Sequence, residues 1–387
     1  MDNLTTHFPD YLSGYRDVPC QFWTGNVVPP SFLPNSSQTT PSRRSRQWQE
    51  RPYFCDTLAR LCEENIGGTV IEITFPSGSD RSACLVRWED GRTAIASFRS
   101  ETARARLEER VLHYLNQQDA PVPTVLFFNG IVLLQEALPG IRLSTLLADA
   151  DSVSRKELLA AALSSLHQIH FAAERAGLDQ AVPLLGNEED WIARHIRQLR
   201  KIGDAFDIPV PSLDKPSLQD ILLPLKPRFV KWDARPGNAI VDDAGKVAWF
   251  DWEHCGARNR LDDLVWLLCD ESVPFCMETE QALLAEFVPL FADGATLESA
   301  HRYAAVAGVL HCTARLGLIL HKQQGEEGWW DKQEILDYDY IGVTPQQAQL
   351  LCARAAAWAQ REPLVAPLAR WFGKVAASIE SLPNGRG

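Results

Sequence analysis

The stretch PRFVKWDARPGNAIVDDAGKVAWFDWEHCG, Pro227 to Gly256, decides the fold. It reads as a loop, a strand, an Asp-Asp-Ala-Gly turn, a second strand and a further loop, a pattern typical of a β-hairpin. Polar side chains flank the hairpin, with Asp233 and Asn238 before it and Asp251 and Glu253 after it. Because its surroundings have a helical pattern, we expect chemistry where this hairpin presents its carboxylates.

The chain around the hairpin is mostly helical. Beyond Gly140 the apolar residues recur with helical spacing in LSTLLADA, in KELLAAALSSLHQIHFAAERAG, from Trp191 to Lys201 and from Gln281 onward. We therefore predict that residues 138–387 form a large lobe of helices into which the hairpin is inserted.

The preceding region, residues 51–137, has a different pattern. The runs TVIEITF, ACLVRWED and GRTAIASFR alternate as strands do, with turn signals between them, and predict an antiparallel meander. Helical spacing follows in ETARARLEERVLHYLNQQ, and the runs TVLFF and IVLLQEAL then read as two more strands. Three strands, a helix and two strands predict a small lobe, so the fold class is α+β with two lobes.

Residues 1–50 read as an extension. The segment from Val27 to Arg46 is rich in Pro, Ser and Thr and has no apolar period, which is typical of a linker. Aromatic residues before it, such as Tyr11 and Trp23, suggest that part of the extension packs against the protein.

Composition limits the classes of function. With 387 residues the chain exceeds one typical core, and its 45% hydrophobic and 23% charged residues are those of a globular protein. The net charge of -12 argues against nucleic-acid binding, which needs a basic surface. An excess of carboxylates also serves solubility, so the charge does not name a substrate.

The same composition predicts a cytoplasmic protein. The 9 cysteines form no CxxC pair and no zinc-like set, as expected of free thiols in a reducing compartment. The first residues have neither a basic start nor an apolar run, and we expect no segment long enough to span a bilayer. The oligomeric state is not encoded in any pattern found here.

The order of the polar residues carries a resemblance. Four residues separate Asp233 from Asn238, and Asp251 follows Asn238 by 13 positions as the start of an Asp-Trp-Glu motif with Glu253. In this the chain resembles the aminoglycoside phosphotransferase and choline kinase superfamily, which has a bilobal protein-kinase-like fold. The resemblance implies transfer of the γ-phosphate of ATP to a hydroxyl of a small molecule with Mg²⁺.

The resemblance also implies roles in catalysis and metal binding. Asp233 takes the place of the catalytic base, and Asn238 with Asp251 takes the place of the magnesium ligands. Glu253 either assists the metal or faces the substrate. Arg235, in the same loop, either touches the transferring phosphate or braces the loop. Asp262-Asp263-Leu264 resembles the Asp-Leu pair that follows the metal loop in the family and braces that loop's backbone, so we assign it a structural role.

In the small lobe the resemblance implies a nucleotide site. Ser77, Gly78 and Ser79 correspond to the family's phosphate-binding loop, where glycine permits close approach of the backbone. Gln135, Glu136 and Ala137 correspond to the hinge that binds adenine through its backbone. Glu108 stands where the family has a glutamate paired with a lysine; a solvated helix face is the alternative.

The chain departs from the family twice. Lys231-Trp232 replaces the usual His-Gly before the catalytic Asp, which puts the loop geometry in question. No lysine precedes Lys156, so the small lobe lacks the usual phosphate-binding lysine. We expect Arg99 to replace it and to pair with Glu108, with Arg92 and Arg81 as rivals.

Two other functions remain open from the sequence. One is a catalytically silent kinase-like protein that binds a nucleotide or a partner, which the missing lysine favours. The other is a kinase for protein side chains, although no activation segment follows Asp251. The acceptor of an active enzyme is also open among aminoglycosides, amino alcohols, sugars and hydroxy amino acids, because one fold serves many substrates.

Overall fold

The computed structural model describes residues 52–76, 83–99, 101–186, 191–223, 226–325 and 328–382. The chain divides into two compact units. The first unit runs to Pro139 and also contains Trp249–His254, and the second contains Gly140–Ala248 and Cys255–Gly387. The predicted extension and the predicted phosphate loop, residues 1–50 and 77–79, lie outside the described residues.

The first unit is built on a five-stranded antiparallel sheet of order β1-β2-β3-β5-β4. Its strands are β1 Val70–Thr74, β2 Ala83–Trp88, β3 Thr93–Phe98, β4 Val125–Phe128 and β5 Val132–Glu136. A helix, α2, lies between β3 and β4 in the chain, at Thr102–Asn116. The predicted order of three strands, a helix and two strands is confirmed.

Helix α1, Pro52–Ile66, precedes the sheet and is not among the predicted elements. Its buried residues Phe54, Leu58 and Cys62 recur at helical spacing and pack with Trp88 and other sheet residues in one apolar core. The periodicity of α1 was therefore visible in the sequence. The helix matters for the site because it covers one face of the sheet that positions β3.

The second unit is mostly helical. Its helices are α3 Leu143–Asp149, α4 Ser152–Arg175, α5 Trp191–Ala205, α6 Lys215–Leu222, α7 Leu261–Leu268, α8 Met277–Phe291, α9 Leu297–Gly325, α10 Lys332–Tyr338, α11 Pro345–Ala359 and α12 Pro367–Glu380. The predicted helices of this region are present, and together with the sheet of the first unit they confirm the α+β fold class.

Short strands interrupt the helices where the hairpin was predicted. Strands β8 Ala239–Val241 and β9 Val247–Trp249 form the hairpin, and β6 Ile141–Arg142 pairs with β8. A second pair, β7 Arg228–Val230 with β10 Gly256–Arg258, was predicted as loop. Strands β8 and β9 are equally short but were marked by the turn between them, whereas β7 and β10 lie far apart in the chain and are revealed only by their pairing.

Helix α9 qualifies the expectation that no segment could span a bilayer. Residues Leu297–Gln324 are long and apolar enough by length and composition, with a mean hydropathy of 1.5 over the best window. Within the structure 89% of that window is buried. A central helix of a folded unit has the same composition, since it is enclosed by protein on most sides.

Candidate functional site

The Asp233 loop, which we define as residues 231–238, connects β7 to β8 in the second unit. It ends in a turn of 3₁₀-helix at Pro236–Asn238. The Asn238 side-chain amide donates hydrogen bonds to Asp233 Oδ2 at 2.7 Å and to the Asp233 carbonyl at 3.1 Å. Two of the residues that the resemblance singled out are thus in direct contact.

Asp263, in the first turn of α7, holds the start of this loop. Its two carboxylate oxygens accept the backbone N–H groups of Lys231 and Trp232, each at 2.8 Å. His170 Nε2 lies 2.8 Å from Asp263 Oδ2. Trp232 has a φ of 70°, a left-handed conformation that a bulky residue adopts only when its surroundings hold it there. Asp263 thus has a structural role, as predicted for this motif, but the backbone that it holds is that of the Asp233 loop.

Lys231 supplies a second brace. Its side chain is buried, and Nζ donates to the Asp233 carbonyl at 3.1 Å. The lysine therefore hydrogen-bonds the loop from the position where the family usually has histidine. With Lys231-Trp232 in place of His-Gly, the Asp233 loop is still held by hydrogen bonds from the Lys231 side chain and to Asp263.

Arg235 turns toward the C-terminal part of the second unit. Its Nη2 pairs with a carboxylate oxygen of Asp339, a residue that no sequence pattern marked. Burial works against the charge, but Asp339 and then Asp233 hold the pKa of the Arg235 guanidinium above its usual range. The contact is that of a bracing arginine; a role toward phosphate stays a prediction.

The first unit contains a second group, the Arg99 cluster, made of Arg99, Glu108, Asp251 and Glu253. Arg99 follows β3 and binds Glu108 of α2 through Nε and Nη2, at 2.8 and 2.9 Å. Nη2 also donates to Asp251 Oδ1 at 2.6 Å, and Nη1 donates to Glu253 Oε1 at 2.9 Å. The predicted pairing of Arg99 with Glu108 is present.

Glu108 is fully buried, which rules out the solvated helix face. Its Oε1 also accepts the backbone N–H of Trp252 at 3.0 Å, which ties α2 to the segment that carries Asp251. Asp251 has a φ of 63°, within the left-handed region that Asp tolerates better than most residues. The glutamate thus orders both the arginine and the metal motif of the sequence.

The Arg99 cluster has an excess of negative charge, because three carboxylates surround one guanidinium. Burial raises the pKa of Glu253 to about 7 against the lowering effect of Arg99, and the Asp251 and Glu108 charges raise it further. Burial also disfavours the charged guanidinium, but Glu108, Asp251 and Glu253 keep the pKa of Arg99 well above its usual range.

Arg92 is excluded from this cluster by the sheet. It precedes β3 while Arg99 follows it, and six residues of extended strand span roughly 20 Å. Arg92 binds Asp90 at 2.8 Å and donates to the Gly67 carbonyl at 3.1 Å. The other rival, Arg81, lies outside the described residues.

The predicted hinge lies at the end of β5. Gln135 pairs with Ile95 of β3 on one side and with Val125 of β4 on the other, and the Glu136 N–H donates to the Thr124 carbonyl at 2.8 Å. Ala137 is different, because its backbone groups form no hydrogen bond to any residue described. A base recognised at this hinge would therefore use Ala137 before the other two.

The histidine and tryptophan candidates have packing roles. His167 contacts the rings of Phe171 and Phe291, which agrees with the packing interpretation of its helix. Trp249 and Trp252 are fully buried, so Trp252 does not line an open pocket. In the parts of the chain that the structure describes, no three His, Cys, Asp or Glu side chains form a metal-binding group of their own.

Comparison with known proteins identifies the relatives of the chain. A profile of the phosphotransferase enzyme family matches residues 72–303, and no curated protein sequence matches the chain. A solved spectinomycin phosphotransferase, in complex with ADP and spectinomycin, has a TM-score of 0.51 at 12% identity and covers 77% of this chain and 98% of its own. At this identity the likeness concerns the fold alone.

Two further solved structures are similar at lower scores. An aminoglycoside phosphotransferase from Alicyclobacillus acidocaldarius has a TM-score of 0.47 at 14% identity and covers 79% of this chain and 92% of its own. A choline kinase from Streptococcus pneumoniae has a TM-score of 0.47 at 16% identity and covers 78% of this chain and 99% of its own. Since the family profile spans more than half of the sequence, the chain belongs to the phosphotransferase enzyme family and has its kinase-like fold.

Proposed function

We propose that the chain transfers the γ-phosphate of ATP to a hydroxyl group of a small molecule and requires Mg²⁺. The observation that carries this proposal is the contact between the Asn238 amide and the Asp233 carboxylate at 2.7 Å, in a loop that Asp263 and Lys231 brace. Phosphoryl transfer needs mainly an oriented acceptor hydroxyl and stabilised phosphate charge, so a rigid, partly exposed aspartate suits it.

In this proposal Asp233 accepts the proton of the acceptor hydroxyl. Its Oδ2 is held by Asn238, which orients the carboxylate and leaves Oδ1 for the substrate. General-base catalysis of this kind contributes roughly 10²–10⁴-fold to the rate. Arg235 pairs with Asp339, and in this proposal it stabilises the conformation of the Asp233 loop.

The residues available for Mg²⁺ fit that ion. In the first unit Asp251 and Glu253 supply carboxylate oxygens, and for Asn238, in the second unit, the role of metal ligand stays the expectation from the resemblance. Hard cations such as Mg²⁺ prefer oxygen ligands and take few of them from the protein. When bound, the ion would neutralise charge on the nucleotide phosphates.

Arg99 and Ala137 are the proposed nucleotide contacts of the first unit. The guanidinium carries five N–H donors, of which the three carboxylates receive four hydrogen bonds. A phosphate is therefore bound by the remaining donor or by displacing one carboxylate. The unpaired backbone of Ala137 suits a purine base, as in the hinge of the family.

A screen of purified protein tests the proposal. ADP formation is measured with ATP and Mg²⁺ against a panel of aminoglycosides, amino alcohols, sugars and hydroxy amino acids. We expect turnover with at least one alcohol above the rate with water, and its loss in Asp233→Asn. Turnover that survives in Asp233→Asn would refute the assignment of the base.

A second function, a silent nucleotide-binding protein, has one observation in its favour. Four of the hydrogen bonds that Arg99 can donate go to protein carboxylates in this structure, so its phosphate contact needs a rearrangement. Calorimetric binding of ATP without ADP formation, for every alcohol in the panel, would select this function over the first.

A further inference from the structure

A segment near the C-terminus contacts the Asp233 loop. We call residues 328–344 the capping segment; it contains α10 and ends where α11 begins. The Trp330 N–H donates to the Val343 carbonyl at 2.8 Å, which closes the segment into a loop. Asp339, just after α10, is the residue through which this segment reaches the Asp233 loop.

Asp339 joins two basic side chains, one in the Asp233 loop and one on the neighbouring strand β6. Its carboxylate pairs with Arg235 from the loop itself, and its carbonyl accepts a further bond from Arg235 Nη2 at 3.3 Å. Arg142 Nη1 lies 3.5 Å from Asp339 Oδ2. Arg142 belongs to β6, the strand that pairs with β8 where the loop ends. The three side chains are mostly buried, so solvent screens this group little.

Gly237 shows how closely Asp339 approaches the loop. A Cβ atom placed on Gly237 would overlap both carboxylate oxygens of Asp339 and the Arg235 guanidinium. Any residue other than glycine would therefore push the carboxylate away from the backbone. The carboxylate lies against the turn that carries Asn238.

A continuous path of bonds leads from Asp339 to the proposed base. The Arg235 carbonyl accepts the N–H of Asn238 at 2.9 Å, and the Asn238 side chain holds Asp233 at 2.7 Å. A shift of Arg235 thus moves the turn that presents Asn238, and with it the orientation of the Asp233 carboxylate.

The capping segment is anchored independently of the loop. Asp339 ends α10 in the left-handed conformation with a φ of 51°, and the next N–H, of Tyr340, donates to the Ile335 carbonyl at 3.0 Å. The Gly342 N–H donates to Glu271 Oε1 at 3.2 Å. Glu271 is in turn buried and paired with Arg315. Asp339 is therefore presented by a rigid support.

We propose that Asp339 is a positioning residue, which fixes the Asp233 loop by holding Arg235 and Arg142 against the capping segment. Its effect on rate rests on the proposed function; its effect on the loop does not. The sequence separation of 104 residues between Arg235 and Asp339 makes this a long-range contact that only the folded second unit can form.

Hydrogen exchange of the intact protein tests the positioning directly. Asp339→Asn keeps the size and tolerates the left-handed backbone, but it removes the charge that holds both arginines. We expect the amides of the Asp233 loop, including that of Asn238, to exchange at least about tenfold faster, with α12 unchanged. Asp337→Asn is the matched control, since Asp337 is exposed and its carboxylate binds Gln333 on the same helix.

A second variant covers the case in which Asp339→Asn does not fold. Arg235→Lys keeps the charge and loses the forked geometry, so it should release the same amides. The double variant should be no worse than either single one if the two residues act as a unit. Unchanged loop exchange in both single variants, or an equal acceleration in every helix, would overturn the proposal.

Kinetics supply the functional readout. With an acceptor from the panel, Asp339→Asn should lower kcat at least about tenfold and leave the KM for ATP within about twofold, because Asp339 acts on the base and not on the nucleotide. An unchanged kcat would overturn the positioning role. If the wild-type protein transfers no phosphate at all, the exchange experiment still decides the role of Asp339, and only the proposed function fails.

Discussion

Replacing Arg99 with methionine is the most direct test of how the first unit is held together. Methionine fills a similar volume but removes a guanidinium that donates four hydrogen bonds, of 2.6 to 2.9 Å, to three carboxylates. The Arg99 side chain is only 9% exposed and that of Glu108 is 0% exposed, so water cannot replace these bonds without opening the cluster.

The size of the effect follows from this burial. Removing one partner of a buried ion pair costs about 3–5 kcal/mol, because the other charge remains buried without compensation. Without the guanidinium, Glu108 and Glu253 would remain buried without this cation. The Asp251 side chain is 29% exposed, so water screens its charge and it adds less to the loss of stability. We therefore expect Arg99→Met to lower the free energy of unfolding of the first unit by about 3–5 kcal/mol near pH 7.

The pH dependence has a definite sign. Without Arg99, the positive charge that lowers the pKa of Glu253 is gone, so this pKa should rise from about 7 to a higher value in the folded variant. The folded variant then holds, above about pH 7, a proton that the folded wild type releases. The stability deficit should therefore shrink as the pH falls from about 9 toward 7, by up to about 1.4 kcal/mol per pH unit, and stay nearly constant below pH 7.

Urea unfolding at about pH 9 and about pH 7, followed by fluorescence, measures both effects. Arg92→Met is the matched control, because Arg92 is 46% exposed and pairs with the exposed Asp90, so that water screens this ion pair and its loss should cost little stability. The reasoning would be refuted if Arg99→Met had the same free energy of unfolding as the control, or if its loss of free energy relative to wild type were equal at both pH values. In refolded protein, Arg99→Ala should weaken ATP binding at least about tenfold, and Arg99→Lys should recover little.

Three further predictions concern single residues. Asp233→Asn should lower kcat by roughly 10²–10⁴-fold and leave ATP binding nearly intact, and a rate above about a tenth of wild type would contradict the base assignment. Asp251→Ala should abolish the Mg²⁺ dependence of ATP binding, which calorimetric titration with and without the ion measures. Burial, aided by the charge of Arg315, lowers the pKa of His311 from 6.5 to about 3, so the stability it contributes is complete above pH 6.5 and is lost as the pH falls toward 3. His311→Phe should keep the packing on Trp266 and reduce the loss of stability between pH 6.5 and about 4.5 by roughly 2–3 kcal/mol, and an unchanged slope in acid unfolding would contradict this.

Local patterns predicted much of the architecture. The alternation in β1, β2 and β3 and the leucine spacing of α2 depend only on residues a few positions apart, and the structure confirms them. The short pair β7 and β10 was not predicted, since the two strands lie far apart in the chain and no turn signal joins them, unlike the equally short β8 and β9.

The contacts of the candidate site also divide into those that the sequence predicted and those that it did not. Asp233 and Asn238 are close in sequence, so their contact could be expected from the loop that contains both. The braces from Lys231 and Asp339 could not, because a buried lysine and an aspartate after a helix have no pattern that distinguishes them from solvated ones. Their roles depend on which groups the fold brings next to them.

The sequence by itself determined the order of the polar residues around a hairpin, the α+β class and the absence of a lysine before Lys156. Only the tertiary structure decided what Arg99 binds besides Glu108, because its other partners Asp251 and Glu253 lie 152 and 154 residues away. Hydrophobic periodicity is a short-range property, and it says which face of an element is buried. The partner of a buried charge is chosen by the packing of distant elements, since an ion pair in a low dielectric is stable only where both charges meet.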